Sequence, residues 1–123
     1  MAGDPAISFT ETHQVILSVG YARGPEMARR LEDSHIIVNY QAAPDEEGFT
    51  AAGALRMGVA EMTRFGMKET DFQTLAELIH DVIVHDKPVK SQVSAFRKQF
   101  QEMRYCFSEN EIPGIQKVLE AIV

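Results

Sequence analysis

Arg56 stands in the run Ala54-Leu55-Arg56-Met57-Gly58-Val59, whose other members are small or apolar. Alternate residues of a strand share a face. Leu55, Met57 and Val59 therefore form a core face, and Arg56 lies on the other with Ala54 and Gly58. Small neighbours leave room around a guanidinium for an anion or another domain, and glycine in a strand often marks close approach by a ligand. The alternative is an arginine paired with an Asp or Glu of this chain at the sheet surface. The other reactive types are weaker candidates. His80-Asp81 and His85-Asp86 fall five residues apart in "HDVIVHD". Five helical residues turn the chain by about 500°, which sets the imidazoles about 140° apart. Solvated positions are expected for them, and no metal site is assigned. His13 and His35 each open an apolar run, as capping or packing residues, with no Cys or carboxylate at ligand spacing. Cys106, in "RYCFS", is expected to be a buried, inert thiol. The acidic run at 45–47 reads as a solvated turn. No G-x-S-x-G, P-loop or G-x-G-x-x-G motif is present, so no catalytic residue is assigned.

The elements that must hold Arg56 follow from periodicity. "HQVILSVG" (13–20) alternates Val15, Leu17 and Val19 against Gln14, Ile16 and Ser18, which predicts a strand. Pro25 after Gly24 suits the first turn of a helix, with Met27, Ala28 and Leu31 at helical spacing. "HIIVNY" (35–40) is rich in β-branched residues and predicts a second strand. "QAAPDEEGF" reads as a loop, and residues 54–59 as the third strand. The form of "AEMTRFGMKE" is left open. Thr70-Asp71-Phe72-Gln73 fits a capping box that opens a helix carrying Leu75, Leu78, Ile79, Val82 and Ile83. Pro88 ends it. A longer helix is predicted over 89–106, with Val89, Val93, Phe96, Phe100, Met103 and Phe107 as its stripe. This spans under three heptads, so packing on its own sheet is preferred to a coiled-coil seam. "IPGIQKVLEAIV" supplies a last short helix with Ile115, Val118, Leu119 and Ile122 in register. The order β-α-β-β-α-α-α predicts an α+β two-layer sandwich, a small three-stranded, mainly antiparallel sheet backed by helices.

With 123 residues, 45% hydrophobic and 24% charged, the chain suits one globular domain. A net charge of −6, with scattered basic residues, argues against nucleic acid and anionic membrane as partners. No run is long and apolar enough for a transmembrane helix, and the N-terminus lacks the features of a secretory signal. One cysteine forbids an internal disulfide. A cytoplasmic location is the default expectation.

Three blocks in order resemble the C-terminal small domain of serine hydroxymethyltransferase, a pyridoxal-phosphate enzyme of the aspartate-aminotransferase fold type (fold type I). "TETHQVILSV" is similar to the family's T-x-N-H block and the strand after it. "RRLEDSHIIVNY" is similar to a helix end and the "I-T-V-N-K-N" strand. "GALRMGVAEMTRFGMKETDFQTLAELIHDVI" is similar to "S-G-I-R-x-G-T-P-A-x-T-x-R-G-x-x-E" and the helix behind it, and is the most specific of the three. The resemblance covers residues 9–107. It leaves 1–8 as an N-terminal tail and 108–123 as a C-terminal helical extension. The "F-x-x-x-R-Y-C-F" ending looks closer to shortened, divergent relatives.

What the resemblance implies centres on Arg56, which matches the family's arginine for the substrate α-carboxylate. A guanidinium's planar fork suits a bidentate contact of that kind. Gln41 stands where the family has its folate-contacting asparagine, and Tyr40 where it has the preceding lysine, which puts tetrahydrofolate binding in doubt. Val59-Ala60-Glu61 replaces "T-P-A". The Schiff-base lysine, the pyridinium-binding Asp and the phosphate loop belong to the family's large domain, and none is matched here. No cofactor is therefore expected on this chain alone, with pyridoxal phosphate implied for the parent enzyme. The leading expectation is a detached small domain, inactive by itself, whose partner is the missing large domain. The alternative is a non-enzymatic interaction or small-molecule-binding module, as a homodimer or with a separate pyridoxal-phosphate domain.

Overall fold

A computed structural model of the chain describes residues 1–43, 51–104, 107 and 110–122. The elements run β1 (Gln14–Ser18), α1 (Gly24–Asp33), β2 (Asn39–Gln41), β3 (Ala54–Gly58), α2 (Ala60–Arg64), α3 (Glu69–His85), α4 (Lys90–Arg97) and α5 (Ile112–Ile122), after a 3₁₀ turn at Pro5–Ile7. Among the described residues the sheet has three strands in the order β1-β3-β2, and both pairings are antiparallel. The architecture is the expected α+β sandwich, with one helix more than the sequence pattern suggested. That helix, α2, forms in the segment whose form was left open.

The core lies between the sheet and the helices. Met27 and Leu31 of α1, Leu55 of β3, Val82 of α3 and Val89 and Val93 around α4 are buried together, with Leu17, Leu75, Leu78 and Ile79 packed against them. Burying each such side chain fully contributes about 1.5–3 kcal/mol. The register sets Leu17 opposite Leu55 and Val15 opposite Met57, as a shared core face predicts. Burial alternates only from Leu55 to Gly58: Ile16 is half-buried like Val15 and Leu17, and Ala54 is fully buried.

Three elements depart from the sequence expectation. The strand expected over 35–40 is only Asn39–Gln41. His35 takes a left-handed φ of 65°, and the Ile36 amide donates to Leu31 O, so residues 35 and 36 finish α1 as a helical C-cap. β-branching favoured a strand at Ile36 and Ile37, but the cap and the burial of Ile36 decided otherwise. The N-cap of α3 is Lys68 and not Thr70. The Asp71 carboxylate accepts the Lys68 amide at 2.8 Å, the half of a capping box that an N3 acid supplies. The helix expected over 89–106 stops at Arg97. The Gln99 and Phe100 amides turn back to Phe96 and Arg97 carbonyls, and the Arg97 guanidinium donates to Phe100 O. Phe100 is buried while Met103 and Phe107 are exposed, so the expected stripe divides between a core part and a surface part.

Candidate functional site

Arg56 sits at the middle of the central strand. The chain leading into it, Ala51 to Leu55, is buried throughout. It is pinned by backbone bonds from Val19 N–H to Gly53 O and from Gly24 N–H to Ala52 O, both 2.8 Å. Gly24 explains why α1 can start so close. A Cβ there would lie 2.2 Å from Ala52 O and 3.1 Å from Ala54 O, far inside contact distance.

The side chain of Arg56 is exposed. Among the described residues it makes no hydrogen bond and no ion pair, and no carboxylate of theirs pairs with it. Its two same-face neighbours along the strand differ. Ala54 is fully buried, whereas Gly58 is exposed, and the nearest atom to a Cβ added there would be His13 Cδ2 at 3.7 Å. Of the two small neighbours, only Gly58 leaves exposed chain beside the guanidinium.

Register places Asn39 of β2 directly across from Arg56, with Ile16 of β1 on the other side. A cavity of about 900 Å³ at the β2 edge is lined by Arg56, Asn39, Gln41, Tyr40, Arg29 and Glu32, among others. Two guanidiniums and two amides against one carboxylate make the cavity suited to an anion carrying its own hydrogen-bond acceptors. Asn39 and Arg29 were not identified as site residues from the sequence. The strand register and the crossing of α1 bring them to Arg56, and neither is visible in a local pattern.

His80 and His85 of α3 are exposed, as solvated positions should be, and they stand closer together than their helical angle suggests. One ligand atom each from His80, Asp81 and His85 lies within 4.8 Å of the other two, and the imidazole centroids are 5.0 Å apart at 74°. Asp81 falls between the two imidazoles in angle, about 100° from one and 40° from the other. The rings lean toward it from both sides. Lys87 closes the group, its Nζ 2.9 Å from Asp81 Oδ1. That hydrogen bond, helped by the charge of Lys87 and of the two histidines, holds the Asp81 carboxyl below its ordinary value of 3.8. His35, by contrast, bonds Ser94 Oγ through Nδ1 at 3.1 Å, a packing role. Cys106 and the acidic run at 45–47 lie outside the described residues.

The fold has a solved counterpart. It superposes with a TM-score of 0.73 and 26% identity on the crystal structure of L-threonine transaldolase from Pseudomonas fluorescens in the internal aldimine state, over 92% of this chain and 28% of that one. The likeness sets the chain in the class of small α+β domains carried by fold-type I enzymes. Within that class it resembles the C-terminal small domain of serine hydroxymethyltransferase. The serine hydroxymethyltransferase of Nitrosopumilus maritimus is 36% identical over 118 residues, 89% of this chain and 27% of the relative. That of Pyrobaculum aerophilum is 40% identical over 104 residues, 82% and 24% respectively. That of Methanothermobacter marburgensis is 34% identical over 119 residues, 94% and 27%. The chain thus spans about a quarter of the length of these curated relatives. No family model matches it.

Proposed function

We propose that this chain is the small domain of a serine hydroxymethyltransferase-like enzyme and that Arg56 receives the α-carboxylate of an amino-acid substrate. The observation that carries this is an exposed strand arginine with no partner among the described residues, set beside Asn39 and Arg29 in a cavity. A carboxylate held by both guanidinium edges cannot rotate freely, so the amino acid's reacting bond takes a fixed direction relative to whatever acts on it. The domain's contribution is then binding and orientation.

Pyridoxal phosphate, the cofactor of the parent family, would supply the electron sink for breaking that bond. The described residues do not form its site. Lys68, Lys87, Lys90, Lys98 and Lys117 are the lysines of the chain, and none lines the Arg56 cavity. On this reading the chain needs the missing large domain for catalysis, and in a whole enzyme the reaction is serine–glycine one-carbon transfer or a related aldol-type cleavage. Gln41, at the edge of the cavity, leaves tetrahydrofolate without the asparagine that the resemblance calls for.

A ¹⁵N NMR titration of the chain with L-serine tests the binding role. The expected result is shifts at the Arg56 side chain, Asn39 and Gly58, lost in Arg56→Gln. Equal shifts in the variant refute the assignment.

A second reading, a non-enzymatic module covered by another protein or by a second copy, draws on the apolar surface. Ile37 is 87% and Tyr21 73% exposed, more than an isolated domain gains from showing. Sedimentation velocity decides it: a clean monomer at high concentration argues against self-association.

A further inference from the structure

We infer that His80, Asp81 and His85 form a binding site for a divalent transition-metal ion at the C-terminal end of α3, separate from the Arg56 cavity. Two imidazoles and a carboxylate are a donor set that suits zinc, nickel or copper and leaves coordination positions for water. All three ligands sit on the last turns of one 17-residue helix, so the backbone that carries them is already ordered.

The distances are close to what a bound ion requires. Around a tetrahedral zinc the ligand atoms stand about 3.4 Å apart, and here they lie within 4.8 Å. Both histidines are exposed, and rotation of their side chains closes the difference without moving the helix. The helix terminus adds a favourable field, because its last carbonyls carry partial negative charge. The end is sharply defined: Asp86 takes a left-handed φ of 52°, and the Asp86 and Lys87 amides both donate to Asp81 O. The Asp81 main chain is thereby fixed beneath its own carboxylate.

Lys87 sets the strength of the site. Its ammonium holds Asp81 Oδ1 and must swing aside, or share the carboxylate, when a cation arrives. It therefore acts as an internal competitor that keeps affinity modest. Removing it strengthens metal binding, the opposite of what loss of a merely structural ion pair would do.

Isothermal titration of the full chain with zinc chloride tests the proposal. One zinc per chain is expected. His80→Gln or His85→Gln should weaken binding by at least about tenfold, Lys87→Met should tighten it several-fold, and His13→Gln should leave it unchanged. Circular dichroism on each variant confirms that the surface substitutions leave the fold intact. No heat of binding at millimolar zinc overturns the site, as does binding that survives loss of both histidines.

Discussion

Arg56 owes its availability to what surrounds it. The residues before it are buried and hydrogen-bonded, its register partners are Ile16 and Asn39, and no carboxylate among the described residues neutralises it. An exposed arginine with no partner contributes little to folding, so Arg56→Gln should change stability by no more than about 0.5 kcal/mol, as urea unfolding would show, while abolishing serine-dependent shifts. Stability loss of several kcal/mol would mean that the side chain is structural. Asp81 behaves differently. Its carboxyl titrates below 3.8, first because of the Lys87 hydrogen bond and then because Lys87, His85 and His80 carry charge around it. A folded-state value below the unfolded one contributes stability at pH above 3.8, lost as pH falls through the lower folded value. The Asp81 carboxyl ¹³C signal should therefore titrate with a midpoint below 3.8, and Lys87→Met should move it upward. An unchanged midpoint in the variant would assign the shift to something other than Lys87.

At the scale of elements, the crossing of α1 over the chain that enters β3 is the most constrained feature. A methyl group at residue 24 meets two backbone carbonyls, which cannot swing away as a side chain would. Gly24→Ala should cost about 1–3 kcal/mol, seen as a lowered Tm. A neutral effect would mean that α1 starts less tightly than described. The sequence made much of this framework legible. The strand at β1, the face of Leu55, Pro25 in the first turn of α1 and the apolar stripe of α3 are local patterns, and each is readable residue by residue. What stayed hidden depends on distant or competing interactions. Ile36 and Ile37 look like strand until the His35 cap claims them for the end of α1. The stripe from Val89 to Phe107 keeps helical spacing, yet Arg97 and Phe100 close a turn through it. Asn39 reaches Arg56 through register, which no single strand encodes. His80 and His85 meet because their side chains lean across Asp81, which angular arithmetic on backbone positions omits.

For the whole molecule, the share of relatives spanned matters as much as the fold. The chain matches most of its own length to about a quarter of each curated serine hydroxymethyltransferase cited above. α5 has no buried residue, and Val118, Leu119 and Ile122 are 60%, 59% and 76% exposed. Within the described residues no helix is long and apolar enough to cross a membrane. Exposed apolar side chains of this kind are what a covering protein would bury, in line with the partner proposed above. In the function proposed above, Arg56 delivers a substrate carboxylate to catalytic groups held elsewhere. The most direct measurement is kinetic, on a chimera in which residues 9–107 replace the matching C-terminal part of the Nitrosopumilus maritimus serine hydroxymethyltransferase. The chimera should convert serine to glycine when supplied with pyridoxal phosphate and a one-carbon acceptor. Arg56→Lys should lower kcat/KM by about 100-fold, the loss of a charged bidentate contact. A chimera that works equally well with lysine at position 56, or one that folds and has no activity, would contradict the claim.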